Sequence, residues 1–126
     1  MRGMNRVMLV GNLGKDPEVK ILGDGISVAR IQLATTEVFR DKDGTAKADT
    51  QWHTVIFWRG LAELAGKYLR KGSLVYVEGK MRYRKYEDKE GVMRYVAEVM
   101  ANHLLMLDKR MSESKVDDSV EELLPF

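Results

Sequence analysis

The 126-residue chain has no cysteine and only two prolines and two tryptophans. Without cysteine it can form no disulfide, thiolate nucleophile or cysteine-ligated metal site, which is compatible with a reducing cytosol. No apolar run approaches the roughly 18 residues of a membrane span, and the N-terminal stretch MRGMNRVMLVGNLG lacks the pattern of a signal peptide. We therefore expect a cytoplasmic chain with one globular domain and no membrane partner.

Patterns of catalytic sites are also missing. The motifs HExxH, GxxxxGKS/T and GxSxG do not occur, and the two histidines, His53 and His103, are fifty positions apart. The carboxylates are scattered among basic residues, as on an ordinary protein surface. We expect no enzymatic activity, metal, cofactor or small-molecule substrate. The alternative class is an enzyme that acts on nucleic acid, and incubation of nucleic acid with the protein and Mg²⁺ would test it.

The net charge of +2 conceals a strong asymmetry along the chain. Residues 112–126 hold one basic and five acidic residues, which gives −4. Residues 1–111 hold the other 20 basic and 14 acidic residues, which gives +6. A basic body with an acidic end indicates a polyanionic partner.

Apolar periodicity predicts a small β protein with one helix. A stripe with helical spacing predicts a helix that begins near Gly60 and has Gly72 just beyond its end. Residues 40–49 are predicted to form a loop, and residues 88–91 a hairpin turn. The predicted strands lie near residues 7–10 (with a continuation through 16–22 after a kink), 26–39, 50–59, 73–87 and 92–107.

The order of these elements is three strands, one helix and two strands. It predicts an all-β fold, namely the OB-fold, a five-stranded Greek-key barrel with one short α-helix between strands 3 and 4. Other small barrels share this composition. From residue 109 onward the apolar period disappears, and an acidic, disordered C-terminal tail is predicted.

Both tryptophans fall in one predicted strand. Because strand side chains alternate, Trp52 and Trp58 lie on one face, while His53, Val55 and Phe57 offer a core-facing set on the other. Two tryptophans on one strand face are often simply part of the core. The opposite face makes that interpretation unnecessary here and leaves the indoles available for binding.

Two further rings, Phe39 and Tyr86, are embedded in charged residues, which a core position seldom tolerates. Rings alternating with Lys or Arg can stack nucleobases while they neutralise phosphates. A basic strand end that is merely solvated is the alternative. The candidate base-stacking residues are Phe39, Trp52, Trp58 and Tyr86. The candidate phosphate-binding residues are Arg2, Arg40, Lys42, Arg59, Lys71, Arg82, Arg84 and Lys85.

Several segments together resemble the bacterial single-stranded DNA-binding protein family. The resemblance covers residues 4–107 and the C-terminal tip, and the segments VGNLGKDPE and YLRKGSLVYVEG are long and specific. The complete set is NRVMLVGNLGKDPEVK, VARIQLATTE, WHTVIFW, LAELAGKYLRKGSLVYVEGKMRYRKYED and the terminal LPF.

This resemblance implies an OB-fold homotetramer that wraps single-stranded DNA with little sequence preference. It implies roles in DNA replication, recombination and repair, in a bacterial cytoplasm and associated with the nucleoid. It places base stacking at the same four rings, of which Phe39, Trp58 and Tyr86 differ in ring type from commonly seen members. It also places His53 at a subunit contact, whereas the residues alone favour a buried, hydrogen-bonded histidine.

The acidic C-terminus ends in apolar residues that a purely solubilising tail has little reason to expose. Carboxylates beside an apolar anchor suit a basic-rimmed pocket that captures a chain end. The tip resembles the family's docking peptide, which recruits replication, recombination and repair proteins, although the family tip is usually Asp-rich and its linker longer. The predicted tip residues are Glu121, Glu122, Leu123, Leu124, Pro125 and Phe126.

Four alternatives remain open, two for the tail and two for the function. The tail is a frayed, solubilising terminus, or it shields the cationic groove when DNA is absent. The barrel is an OB-fold accessory protein of replication restart or an RNA-binding barrel, neither of which is expected to carry the acidic Leu-Pro-Phe end. The favoured organisation is a DNA-binding domain over residues 1–109, followed by a short linker and docking tip over residues 110–126.

Overall fold

The computed structural model describes residues 1–108, which form six strands and one helix. The predicted tail and tip therefore lie outside the described residues. The elements are β1 (Val7–Leu13), β2 (Glu18–Ile21), β3 (Ser27–Arg40), β4 (Ala46–Trp58), α1 (Gly60–Tyr68), β5 (Leu74–Glu87) and β6 (Met93–Met106).

The strands form one sheet in the order β1-β5-β6-β4-β3-β2, and a second pairing of β1 with β3 closes it into a barrel. The closing pairs are Asn12 with Ala34 and Leu13 with Leu33. A Cβ on Gly11 would overlap the carbonyl oxygen of Ala34, so glycine permits the close backbone approach at this seam. The predicted all-β OB-fold barrel, with its short helix before the last two strands, is confirmed.

The predicted first strand and its continuation are two separate strands. β1 pairs with β5, whereas β2 pairs with β3 from Glu18–Arg30 to Ile21–Ser27. The chain leaves the β1 direction at the predicted kink, where Pro17 has no N–H to donate to a ladder. The helix therefore follows the fourth strand by count, although it keeps its predicted place in the barrel.

The predicted loop over residues 40–49 was wrong in its second half. β3 and β4 pair continuously from Val28–Trp58 to Arg40–Ala46, and only residues 41–45 form the turn. Gly44 takes a positive φ of 86° in that turn, where Asp41 N–H donates to the Thr45 carbonyl at 2.9 Å. Residues 46–49 are exposed on both faces, so they show no apolar alternation in the sequence.

The helix ends earlier than predicted, at Tyr68. Leu69 is extended, and its side chain is 1% exposed because it leaves the helix to enter the core. The assignment of Gly72 to the helix end was wrong. This glycine has a φ of 91° in a separate turn, in which Ser73 N–H donates to the Arg70 carbonyl.

The core fills the barrel from the inward faces of the strands and from α1. Its fully buried side chains include Phe57, one residue before the end of β4, and Ala62 and Ala65 on the helix. Two hairpins extend beyond this core, and their strands pair only with each other. We call them the 35–51 arm, from β3 and β4, and the 82–98 arm, from β5 and β6.

Within residues 1–108, no helix is long and apolar enough to cross a membrane.

Candidate nucleic-acid interface

The two indoles lie on the outer face of β4, as alternation predicted. Trp52 is 58% exposed and Trp58 is 36% exposed, whereas Val55 and Phe57 on the inner face are fully buried. Ile56, between the indoles, is 8% exposed. The β4 face therefore has a closed apolar centre flanked by two rings that are open to solvent, and neither indole is sealed in the core.

The two rings are held by different neighbours. The six-membered ring of Trp52 packs on Gly14, whose backbone N–H donates to the Gln32 carbonyl at 2.9 Å. Trp58 pairs across the sheet with Val28. Beside this pair runs an open groove of about 140 Å³ lined by Glu18, Lys20, Val28, Arg30 and Ile56.

The groove adds cations that sequence reasoning missed. Arg30 and Lys20 stand at its rim, and Arg30 donates from Nε to Glu18 Oε1 at 2.9 Å. This ion pair holds the pKa of the Glu18 carboxyl below its usual value. Lys20 and Arg30 could have been found only by pairing β2 with β3, which the sequence does not reveal.

The outer face of β5 continues this surface along the 82–98 arm. Arg82, Arg84 and Tyr86 alternate with inward or opposite-facing residues, so they share one face. Tyr86 is 45% exposed. The structure therefore brings three predicted site residues together on the arm, on the same sheet face as the two indoles.

A buried carboxylate lies beneath the two arginines. Glu98 is 3% exposed, accepts a hydrogen bond from Arg84 Nε at 2.8 Å and lies 3.6 Å from the Arg82 guanidinium. The hydrogen bond and charge of Glu98 raise the pKa of Arg84 above its usual value. Glu98 thus orients Arg84 and offsets part of the positive charge of this face.

Phe39 does not share the face of the indoles. It follows Ile31 and Leu33 in the alternation of β3, so it lies on the continuation of the inward face along the 35–51 arm. It is 50% exposed and pairs across the hairpin with Lys47, whose ammonium lies 3.2 Å from Asp41. A ligand that reaches both Phe39 and Trp52 must therefore pass around this arm.

The remaining predicted cations are exposed and spread around the barrel. Arg40 and Lys42 flank the tip of the 35–51 arm, where Arg40 Nη1 donates to the Gly44 carbonyl at 2.8 Å. Arg59 precedes α1 with a φ of 57°. Arg2 precedes β1, and Lys71 follows the helix, where its backbone N–H donates to Asp16 Oδ1 at 2.8 Å.

Lys85, a predicted phosphate-binding residue, lies on the face of the 82–98 arm opposite Tyr86, as strand alternation requires. There it pairs with Tyr95, and Tyr83 lies two positions before it on the same strand face. This face begins in the core with the buried residues Val75 and Val77, and sequence reasoning named neither of its tyrosines as a binding residue. Tyr83 and Tyr95 were therefore missed.

His53 is half-buried on the inner side of β4, and its Nε2 lies 2.9 Å from the Thr35 hydroxyl. The predicted tip residues, Glu121 to Phe126, lie outside the described residues. Among residues 1–108, no group of three His, Cys, Asp or Glu side chains is placed to hold a metal ion.

An OB-fold barrel whose outer face carries half-exposed rings and arginines belongs to the class of barrels suited to single-stranded nucleic acid. Comparison with known proteins gives the family. The model of the single-strand binding protein family matches residues 4–107, and the chain belongs to that family.

Similar proteins come from bacteria and from a parasite. The chain is 50% identical over 109 residues to a single-stranded DNA-binding protein of Xanthomonas axonopodis pv. citri, covering 86% of this chain and 61% of that one. It is 43% identical over 120 residues to single-stranded DNA-binding protein 1 of Xylella fastidiosa strain 9a5c, covering 94% and 88%. It thus spans about three fifths of the length of the first relative.

Among solved structures, a complex of Plasmodium falciparum SSB with ssDNA matches with a TM-score of 0.79 and 34% identity. That match covers 86% of this chain and 98% of the other.

Proposed function

We propose that this protein binds single-stranded DNA with little dependence on sequence. One observation carries the proposal: two half-exposed indoles, Trp52 and Trp58, lie on the same outer sheet face as Arg82, Arg84 and Tyr86. Rings stack any base because every base has a π face, and arginines neutralise the backbone. The names of the relatives and the ssDNA-bound structure support the same ligand.

In this mechanism the protein binds passively and performs no reaction. Phe39, Trp52, Trp58 and Tyr86 stack bases, and the eight predicted cations contact phosphates and release counterions. Phe39 lies on the face opposite the indoles, and Lys85 lies on the face opposite Tyr86. The DNA strand therefore wraps around both arms to reach them. Duplex DNA hides its base faces and is expected to bind far more weakly.

The test is quenching of the intrinsic tryptophan fluorescence by oligo-dT, titrated over a range of salt and compared with a duplex of equal length. We expect strong quenching by oligo-dT, with log K falling by about 0.7 per log unit of salt for each phosphate neutralised. Equal affinity for duplex, or no quenching by oligo-dT, would overturn the proposal.

Roles in DNA replication, recombination and repair follow if the C-terminal residues recruit partner proteins. The apolar end Leu123 to Phe126 follows the carboxylates of Glu121 and Glu122, a combination suited to a basic-rimmed pocket. We expect deletion of Phe126 to abolish partner pull-down while DNA affinity stays nearly unchanged. Equal pull-down by both forms would contradict this role, and with it the division into a 1–109 domain and a 110–126 tip.

Assembly into a homotetramer is supported by an uncovered face of the barrel. Met8 and Val10 on the outer side of β1 are 61% and 52% exposed, and Leu105 nearby is 50% exposed. The β1 residues before Asn12 pair only with β5, which leaves their other edge open for a second copy of this chain. Sedimentation should give a tetramer mass, and a monomer at all concentrations would refute it.

His53 carries a related expectation, because the resemblance to the family implies a subunit contact at this half-buried ring. His53→Lys introduces a charge there and is expected to weaken assembly. Crosslinking that yields only tetramer for this variant would contradict the expectation that His53 lies at a subunit contact.

A further inference from the structure

The face of the 82–98 arm opposite Tyr86 carries two of the most exposed rings in the described residues. Tyr83 is 72% exposed and Tyr95 is 76% exposed. Tyr83 pairs with Ala97, and Tyr95 pairs with Lys85 on the neighbouring strand. The two rings are therefore diagonal neighbours on one face, within reach of a common ligand.

The surroundings of the rings leave them open. Ala97 is the residue directly across from Tyr83, and its methyl group is too small to cover a ring. Among residues 1–108, no hydrogen bond or ion pair engages the Tyr83 and Tyr95 hydroxyls or the Lys85 ammonium. All three groups are thus available to something outside the arm.

The chemistry of this face matches that of the site already described. Two exposed rings next to a cation can stack bases and neutralise a phosphate, as on the other side of the same two-stranded arm. The 35–51 arm repeats the arrangement, because Phe39 pairs with Lys47 just as Tyr95 pairs with Lys85. In each arm an exposed ring and a cation stand directly opposite each other, on the continuation of the inward face.

We propose that Tyr83, Lys85 and Tyr95 form a second single-stranded DNA contact on the far face of the 82–98 arm. A DNA strand that leaves Arg84 and Tyr86 passes around the edge of the two-stranded hairpin. It then continues over Tyr95 and Tyr83 on the opposite face. Lys85 neutralises a phosphate between the two stacked bases. This inference rests on the proposed function.

The experiment compares oligo-dT affinity of the full chain with that of the double variant Tyr83→Ala/Tyr95→Ala. Each stacked base contributes measurably, so we expect a loss of about tenfold or more. The double variant Tyr83→Phe/Tyr95→Phe keeps the rings and should bind nearly as the parent does. Tyr68→Ala is the matched control, since Tyr68 is a 49% exposed tyrosine beside Lys67 on α1, away from the arm.

Photo-crosslinking distinguishes direct contact between DNA and the two tyrosines from an indirect effect of their substitution on the arm. Oligo-dT carrying one 5-iodouracil is photo-crosslinked to the parent protein, and the crosslinked peptides are identified by mass spectrometry. Crosslinks at Tyr83 or Tyr95 support the proposal. Lys85→Gln should in addition reduce the salt slope by about 0.7.

Two results would overturn the inference without touching the proposed function. One is parental affinity of the double alanine variant while Trp52→Ala still loses affinity. The other is a double alanine variant whose assembly mass changes while its DNA affinity does not. That result would mean that this face of the arm contacts a second copy of the chain and not DNA. If the parent protein itself fails to prefer oligo-dT over duplex, the proposed function fails instead.

Discussion

The six-membered ring of the Trp52 indole lies directly on Gly14, in the connection between β1 and β2. A Cβ on Gly14 would fall 2.6 Å from Cη2 of the indole and closer still to Cζ3. The φ of Gly14 is not positive, so its backbone alone would accept alanine. The requirement for glycine at this position therefore comes from the indole and not from the turn.

Gly14→Ala is accordingly expected to displace the Trp52 ring while the barrel remains folded. Since the nearest atoms to the new methyl group belong to the far end of a side chain, the indole will rotate away instead of the backbone moving. We expect oligo-dT affinity to fall by about 1–3 kcal/mol, as for loss of one stacked base. Fluorescence titration measures the affinity, and circular dichroism checks the fold.

Two comparisons make the Gly14 result specific. Gly23→Ala is the control, because a Cβ there meets nothing within 4 Å and its φ is not positive. In a Trp52→Ala background, Gly14→Ala should cost nothing further. Additive losses from the two substitutions would show that Gly14 acts independently of the indole.

Phe39 and its neighbour Val38 test the wrapping of DNA around the 35–51 arm. Both are exposed, at 50% and 74%, but alternation places them on opposite faces. Phe39→Ala is expected to weaken oligo-dT binding by about 1–3 kcal/mol, because a stacking ring is lost. Val38→Ala removes no ring and should leave the affinity nearly unchanged, and equal losses for the two variants would contradict base stacking by Phe39.

Substitution of the buried Glu98 tests whether its negative charge weakens DNA binding by Arg82 and Arg84 on the 82–98 arm. Glu98→Gln keeps an acceptor for Arg84 Nε but removes the negative charge beneath Arg82 and Arg84. A unit charge at 4 Å is worth roughly 1 kcal/mol in water, and a phosphate bound to the arginines lies farther than that from residue 98, so we expect oligo-dT to bind more tightly at low salt by up to about fivefold. The gain should shrink as salt rises, because ions screen the released charge.

The control for Glu98 is Glu63→Gln, which makes the same change of net charge on the exposed side of α1. Its effect on oligo-dT affinity should be small. In an Arg84→Ala background the gain from Glu98→Gln should largely vanish. Weaker binding by Glu98→Gln with an intact fold would mean that orienting Arg84 matters more than its free charge.

The barrel strands could be predicted because one face of each is buried. On β3, the buried Ile31 and Leu33 alternate with the exposed Arg30 and the half-buried Gln32, so the period of two is visible in the letters. Residues 46–49 have solvent on both faces and leave no such pattern. A strand stabilised by its hairpin partner alone is therefore invisible to periodicity.

The far side of the 82–98 arm was missed for a related reason. Val75 and Val77 are buried and share a face with Tyr83, and alternation alone does not show where along this face burial stops. The barrel ends near Met81, and from there the same face enters solvent. The position of that boundary depends on where β1 stops pairing with β5, which is a property of the assembled sheet.

The hydrogen bond between Tyr76 and Glu78 links the titration of two half-buried groups on β5. The Tyr76 hydroxyl donates to Glu78 Oε1 at 2.6 Å, and Arg6 lies 2.6 Å from Glu78 Oε2. The Tyr76 hydrogen bond, followed by the Arg6 charge, holds the pKa of Glu78 below its ordinary 4.5. The same hydrogen bond raises the pKa of Tyr76 above 10.0.

Tyr76→Phe should therefore raise the pKa of Glu78 toward 4.5, as measured by NMR titration of the side-chain carboxyl carbon. Because the folded-state pKa is depressed, the contribution of Glu78 to stability is present above pH 4.5 and is lost as the pH falls through the folded value. The free energy of unfolding of Tyr76→Phe should depend less on pH below 4.5 than that of the parent.

A sharper test compares how much Tyr76 and Arg6 each lower the pKa of Glu78. The hydrogen bond is the larger cause, so Arg6→Ala should shift the pKa of Glu78 less than Tyr76→Phe does. Glu78→Gln should lower the pKa of Tyr76 toward 10.0, followed by ultraviolet absorbance, because the carboxylate that holds the phenol proton is gone. A larger shift in Arg6→Ala would mean that charge, and not the phenol, controls this carboxylate.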